Sequence, residues 1–491
     1  MNTARLIFKN TFALSIASAG QLIGNMVLFF YLSRLLQAEG LGIYSTVIAI
    51  FHTASLGCGI GFTSFLPREL PKDLSKTNKY LIHASLVSVA TALFIVVCLS
   101  LITPHLGYLL LTDIGIKIIS LALIPESMMI VLFAVFIAHQ KAEFVAITGV
   151  ISVLGRILFS LLALQLGFGV IGLIVIYTVF SFLSLAINLF FLKRYVLIPH
   201  WEFDSLFLKK MMFELKVFAA LALLNAVFSQ SEVLILSFTQ GETQVGYYSA
   251  ALKLVTIWAM VPSSYLTALF PVLSATFQEY PQKVISLQNK SLKYLIAAAL
   301  PLAVGMTVLA GLIIPLIYGP IFSQSIVPLK ILSWYLPLIF LNNLLWRVLF
   351  VRGEQKVVFR WQLVTEIIQV FLAVWLTPKI GSIGAALSVF GGNLAYFIYF
   401  IFFLKHVKSP LPLIQIGWKF LLASTIMGLF TWLCSPKIPL IMLVPIAALI
   451  YLFLLWILRA FSNDDIGSIK EIFKNSKNQH YSVGSDNGDL N

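Results

Sequence analysis

Long apolar stretches separated by short polar gaps run through the whole chain. They cover roughly 9–33, 41–66, 80–103, 116–138, 144–166, 168–192, 215–238, 245–274, 292–317, 326–350, 357–378, 381–404, 414–434 and 438–460, and are numbered here as helices 1 to 14. A helix that crosses a bilayer needs about 20 mostly apolar residues, because hydrocarbon offers the backbone no hydrogen-bond partners and the helix must satisfy its own. Each stretch meets that length, so the pattern predicts an all-α polytopic membrane protein of about fourteen transmembrane helices. The first run, starting near Phe8, exceeds a secretory h-region and leads straight into further membrane segments. It is expected to remain as an uncleaved first helix.

Composition sharpens this picture. Of the 491 residues, 60% are hydrophobic and 11% charged, against roughly 25% charged in soluble domains. Forty Phe, nine Trp and seventeen Tyr suit lipid-facing walls and interfacial anchors. The net charge of +14 does not imply nucleic-acid binding, because the Lys and Arg sit in gaps between apolar runs and form no basic face. With the N-terminus placed inside, alternate gaps hold 26 of the 33 Lys and Arg, while the opposite gaps hold only Arg34, Lys117, Lys379 and Lys437. Cytoplasmic loops retain such residues, so both termini are expected in the cytoplasm. Cys58, Cys98 and Cys434 lie inside apolar runs without metal-ligand spacing and read as small hydrophobes.

The two halves of the chain resemble each other. At a spacing of 204, Leu32-Ser33 matches Leu236-Ser237, and Gly42, Tyr44 and Ser45 match Gly246, Tyr248 and Ser249; at 212, Pro125 matches Pro337, and Gly169 and Gly172 match Gly381 and Gly384. Transporters are often built from such repeats. The expected organisation is therefore two pseudo-symmetric six-helix lobes, 1–194 (helices 1–6) and 215–406 (helices 7–12), joined by a cytoplasmic linker at 195–214. Helices 13 and 14 occupy 407–461, and a polar cytoplasmic tail without expected order fills 462–491.

Short motifs extend the comparison. Ser33-Arg34-Leu35-Leu36 through Gly40-Leu41-Gly42-Ile43-Tyr44-Ser45, then Val245-Gly246-Tyr247-Tyr248-Ser249-Ala250-Ala251-Leu252-Lys253, and Gly59-Ile60-Gly61 with Pro67-Arg68-Glu69 resemble the polysaccharide-transporter branch of the multidrug/oligosaccharidyl-lipid/polysaccharide (MOP) exporter superfamily, the Wzx-type O-antigen flippases. The resemblance covers most of residues 1–406 in layout. It implies a MATE-like arrangement of two lobes around a central cavity, alternating access, and a lipid-linked oligosaccharide on undecaprenyl pyrophosphate as cargo. It also implies a bacterial inner-membrane location, with a polysaccharide polymerase and a chain-length regulator as partners. Fourteen helices resemble the lipid II flippases as well, but helix 1 lacks the arginine cluster expected near its middle in that branch.

A charge at the centre of a membrane helix costs about 2.5–3.5 kcal/mol on insertion scales and persists where it meets a partner or a watery cavity. The deep candidates are Glu126, Arg156, Glu232, Lys253 and Glu366. Asn225, Ser229 and Glu232 would share one stripe of a continuous helix 7. Gln21 and Asn25 occupy related positions in helix 1. These stripes either line a hydrophilic cavity or bond one helix to another. Arg156 and Lys253, with Arg34 near the outer mouth, could neutralise phosphate, or pair with Glu126 and Glu232 inside the bundle. Glu232, Glu126 and Glu366 are candidates for coupling to a proton or sodium gradient. Pro125, Pro262 and Pro337 would break hydrogen bonds within helices 4, 8 and 10. His52 and His83 read as packed or interfacial side chains.

No catalytic constellation, metal site or P-loop pattern is present, and no loop is long enough for an enzymatic domain. The expected class is a secondary transporter with no cofactor and no nucleic-acid partner. A multidrug or cation antiporter of the same superfamily is the alternative, ahead of a membrane glycosyltransferase or O-antigen ligase.

Overall fold

A computed structural model describes residues 3–406 and 411–461, apart from the side chains of 3–19, 21–23, 268, 278–279 and 281–282. The expected tail at 462–491 lies outside these residues. Every regular element among the described residues is helical. Among the described residues, twelve segments are long and apolar enough to cross a membrane, and two of them, Gly24–Lys72 and Gln355–His406, run to 49 and 52 residues. That is about twice the length one crossing needs. Both are interrupted: Gln37 leaves helical geometry inside Thr3–Cys58, as do Ile380 and Gly381 inside Gln355–His406. Both interruptions fall where the sequence places a gap between two predicted crossings, so the described residues form a multi-pass helical bundle. Phe190, Ile441 and Trp456 are exposed, as side chains facing lipid would be.

Three crossings are also divided internally, and the prolines explain where. Leu110–Ser120 gives way to Leu123–Ala138, Glu242–Thr256 to Met260–Glu279, and Ile326–Ser333 to Tyr335–Val351. In each case the proline, Pro125, Pro262 or Pro337, is the third residue of the second segment. The first four N–H groups of a helix have no partner four residues back, so a missing N–H is harmless there. The prolines therefore start new helices instead of kinking continuous ones. Helix 7 is divided as well, into Ser205–Phe228 and Ser231–Gln240, without a proline or glycine at the break.

The chain packs as two compact units. The first contains Met1–Lys253, Ile314–Pro328 and Glu366–Val389; the second contains Leu254–Ile313, Leu329–Thr365 and Phe390–Asn491. These units are packing entities and do not follow the lobe boundaries drawn from the repeat. The first unit is built around Phe62, Phe65, Leu66, Val135, Phe136 and Leu215, with a further cluster of Val47, Phe51, Ile116, Leu123 and Ile174. The second has a cluster of Leu345, Leu349, Val358, Phe400 and Leu404.

Within the first unit the sequence repeat becomes a physical contact. A Cβ added to Gly42 would overlap the carbonyl of Glu242, and one added to Gly246 would overlap the carbonyl of Ala38. The next neighbours are the Gly246 amide nitrogen, 3.0 Å from the first, and the Gly42 amide nitrogen, 3.2 Å from the second. Both residue pairs, Gly42/Gly246 and Ala38/Glu242, are separated by the repeat spacing. Residue i meets residue j and j meets i, which is the signature of a two-fold contact. Small residues let membrane helices approach this closely, and packing drives their association where lipid removes the hydrophobic force. The helix-breaking residues correspond too: Gln37 has φ 59 and ψ −169, and Gly241 has φ 78 and ψ 177.

The linker is held down on helix 3. Asn78 donates to the His200 carbonyl at 2.9 Å and to Glu202 Oε2 at 3.1 Å, while Lys79 lies 3.4 Å from Glu202 and 3.5 Å from Asp204. The Asp204 carboxylate caps the helix that follows, accepting from the Leu206 and Phe207 N–H groups. Those amide bonds, the Phe207 one foremost, hold its carboxyl below the usual carboxylate range. Fully buried His83 accepts from the Asp204 N–H at 2.9 Å and contacts the Lys79 carbonyl at 2.7 Å.

Candidate functional site

The first unit gathers most of the ionisable side chains that the sequence places in the membrane. Arg156 projects from Ala142–Gln165, with its guanidinium 4.7 Å from the ring centre of Tyr177. Its Nε is buried and has no hydrogen-bond partner among the described residues. Lys253, half-buried, sits 5.3 Å from the ring of Phe29. His52 is exposed and within electrostatic reach of both cations. Two cations and an imidazole, flanked by the hydroxyls of Tyr44 and Tyr177, thus share one region of the first unit. The sequence leaves His52 as either packed or interfacial; it is exposed and close to Arg156.

Arg156 also lines a cavity of about 220 Å³ together with Glu126, Ser152, Ser181 and Ser184. Glu126 accepts a hydrogen bond from Ser181 at 3.3 Å and lies within electrostatic reach of Arg156. Sequence reasoning paired these two side chains as one alternative; in the structure they share a chamber.

Glu232 belongs to a different setting. The break after Phe228 ends the continuous stripe expected on helix 7, because Glu232 now lies in the first turn of Ser231–Gln240. Asn225 and Ser229 are exposed whereas Glu232 is 7% exposed. Asn225 lines a separate cavity of about 200 Å³ with Ser55, Gly61 and Ser64. Ser229 turns its hydroxyl back to the Ala226 carbonyl at 3.4 Å. Glu232 instead accepts from Gln369, and Glu366 lies within electrostatic reach of it. Gln369 does not stand out in the sequence. Its only signal was its spacing of three from Glu366, which sets the two on one helix face. Asn25 is exposed, and the side chain of Gln21 lies outside the described ones.

Arg34 does not join these groups. It donates through Nε to the Ile317 carbonyl at 2.8 Å and through Nη2 to the Leu316 carbonyl, capping the end of Pro281–Tyr318. At the same end of the unit, Gln240 donates to the Pro378 carbonyl at 2.7 Å, and Gln244 accepts from the Ser382 N–H at 3.2 Å. The second unit contains a nearly wholly apolar cavity of about 360 Å³, lined by Ile296, Leu300, Pro337, Phe397, Ile414 and Trp418 among others.

Duplicated corners, divided crossings and buried ionic groups define a multi-pass membrane protein of the MATE-like fold class. The family described as polysaccharide biosynthesis protein matches residues 7–277, more than half of the chain, and the chain belongs to that family. The family described as lipid II flippase MurJ matches residues 232–458. Among solved structures, the lipid II flippase MurJ in an inward closed conformation is similar over 90% of this chain and 98% of its own, with a TM-score of 0.75 at 17% identity. An inward-facing multidrug resistance MATE family transporter of the MOP superfamily follows, with a TM-score of 0.63 at 15% identity over 79% of this chain and 95% of its own. A MOP superfamily transporter from Pyrococcus furiosus reaches 0.54 at 15% identity over 82% and 96%. At these identities the likeness establishes the fold. A search of curated proteins gives no match.

Proposed function

We propose that the protein is a flippase that moves an oligosaccharide linked to undecaprenyl pyrophosphate from the cytoplasmic to the periplasmic leaflet of a bacterial inner membrane. The observation that carries this reading is the pair of cations, Arg156 and Lys253, gathered around the His52 imidazole in the first unit. A pyrophosphate crossing hydrocarbon must have its charge answered at every stage. A guanidinium offers two parallel donors to phosphate oxygens and an ammonium a point charge, while the tyrosine hydroxyls replace lost water. An apolar cavity such as that around Trp418 suits a segment of the prenyl chain. Glu232, bonded to Gln369 and near Glu366, is the proposed coupling group for a proton or sodium ion.

A MATE-type antiporter of organic cations would need mainly acidic groups around its cargo, and the two cations weigh against it. Lipid II remains a second cargo because the MurJ family matches nearly half of the chain. The proposed orientation keeps both termini in the cytoplasm by the distribution of Lys and Arg, with alternating access between the two lobes. A polysaccharide polymerase and a chain-length regulator are the partners that a polysaccharide cargo implies. Deletion in the native host tests the reading: loss of surface polysaccharide with accumulation of its lipid-linked units is expected. Unchanged polysaccharide with drug hypersensitivity would establish the antiporter instead, and rescue of a strain lacking its lipid II flippase would establish lipid II as cargo.

A further inference from the structure

The chamber shared by Glu126 and Arg156 is more than the flank of a phosphate site. Its wall offers a carboxylate, a guanidinium Nε–H and the hydroxyls of Ser152 and Ser184, with the rings of Phe133 and Phe180 alongside. The Nε–H has no partner among the described residues. Ser152 contacts the Thr148 carbonyl at 2.7 Å, Ser184 contacts the Phe180 carbonyl at 2.6 Å, and the two hydroxyls contact each other. Each hydroxyl has one proton and two lone pairs, so acceptor capacity remains.

Charge and polarity narrow the occupant. An anion would meet the Glu126 carboxylate, a cation would meet Arg156, and a hydrocarbon would leave the buried Nε–H unpaired at a cost. A ring of hydroxyls suits the wall, because each sugar hydroxyl donates to the carboxylate or a serine while accepting from the guanidinium, and its C–H face can lie on a phenyl ring. The cavity of about 220 Å³ is more than roughly ten times the smallest space that holds one water, which leaves room for a sugar ring. Arg156 joins this chamber to Tyr177 and to the region of His52, where the pyrophosphate is proposed to sit. A sugar here would be the one attached directly to the pyrophosphate.

We propose that this chamber is a monosaccharide subsite that reads the lipid-proximal hexose of the cargo. The proposal rests on the pyrophosphate-linked flippase reading. It is tested with the full-length protein in detergent, by measuring Kd for farnesyl diphosphate and for farnesyl diphosphate carrying one N-acetylhexosamine. Wild type should bind the glycosylated probe at least about 10-fold tighter, a difference of roughly 1.4 kcal/mol. Ser152→Leu, which fills the chamber, should erase that preference while farnesyl diphosphate is still bound. Ser184→Ala, a smaller change that keeps the fold if the leucine does not, should reduce the preference in part. Equal binding of both probes by wild type, or an undiminished preference in both variants, overturns the subsite. If wild type binds neither probe, the pyrophosphate reading itself falls and the subsite with it.

Discussion

The corner at residues 28–46 and its repeat at 232–250 show how one scaffold can carry two different chemistries. In both, a buried serine hydroxyl turns back three residues: Ser33 to the Phe30 carbonyl at 2.7 Å and Ser237 to the Leu234 carbonyl at 2.8 Å. In both, the helix breaks four residues later and a glycine then crosses the partner corner. These shared residues make the crossing. The unshared ones carry charge: the first corner has Arg34 where the second has Phe238, and the second has Glu242 and Glu232 where the first has Ala38 and Leu28. Glu242 is buried and accepts from Thr112 at 2.7 Å and from the Leu109 N–H at 3.2 Å, tying its own corner to the start of helix 4. Duplication thus built the frame, and divergence on each side of it placed Arg34 in one corner and Glu232 and Glu242 in the other, with Glu39 of the first corner matching Thr243 in the repeat register.

The largest expected effect separates the corners by function. Glu232→Gln should abolish transport at normal membrane abundance, whereas Leu28→Met at the matching position should retain it; equal activity of both variants in complementation would remove Glu232 from the mechanism. Next, Gly246→Leu should force the two-fold crossing apart and destabilise the protein by about 3 kcal/mol, read as a lower Tm in detergent. A Tm equal to wild type would mean that the glycine contact does not hold the corners together. A smaller effect of opposite sign is expected at the helix break. Gln37 occupies a conformation that is nearly restricted to glycine and costs on the order of 1–3 kcal/mol for other residues, so Gln37→Gly should raise stability and Gly241→Gln should lower it. Stability changes of the same sign would contradict the equivalence of the two breaks.

The smallest effect concerns the linker. The Asp204 carboxyl is held below its ordinary range by the amides it caps, so it stabilises the folded state above the unfolded carboxylate range. That contribution should disappear as pH falls through the lowered folded value. Hydrogen exchange at Leu206 and Phe207 should therefore rise on acidification in wild type beyond the intrinsic pH trend, and Asp204→Ala should show the faster exchange already at neutral pH. Identical protection in both proteins would assign the cap no role.

Much of this frame was legible in the sequence, because membrane helices must be long and apolar and the repeat left glycine, serine and tyrosine at fixed spacing. Pro125, Pro262 and Pro337 also marked the division of their crossings, although a proline alone does not distinguish a kink from a new helix. The break after Phe228 carried no such mark, so the stripe through Asn225, Ser229 and Glu232 was drawn on a helix that does not continue. Pairings across long separations were equally hidden. Nothing local ties Gln369 to Glu232, 137 residues away, or brings Ser152 beside Ser184 in the chamber of Arg156. His52 could not be told from a packed histidine, since its exposure follows from tertiary packing alone.

The central claim is that a pyrophosphate-linked sugar crosses the membrane beside Arg156 and Lys253. The direct measurement is the rate at which purified protein in proteoliposomes flips a fluorescent oligosaccharide on undecaprenyl pyrophosphate, compared with the Arg156→Ala/Lys253→Ala double variant. Rapid flipping by wild type and background flipping by the double variant is the expected result. Equal rates for the two proteins, or no flipping by wild type, would contradict the account.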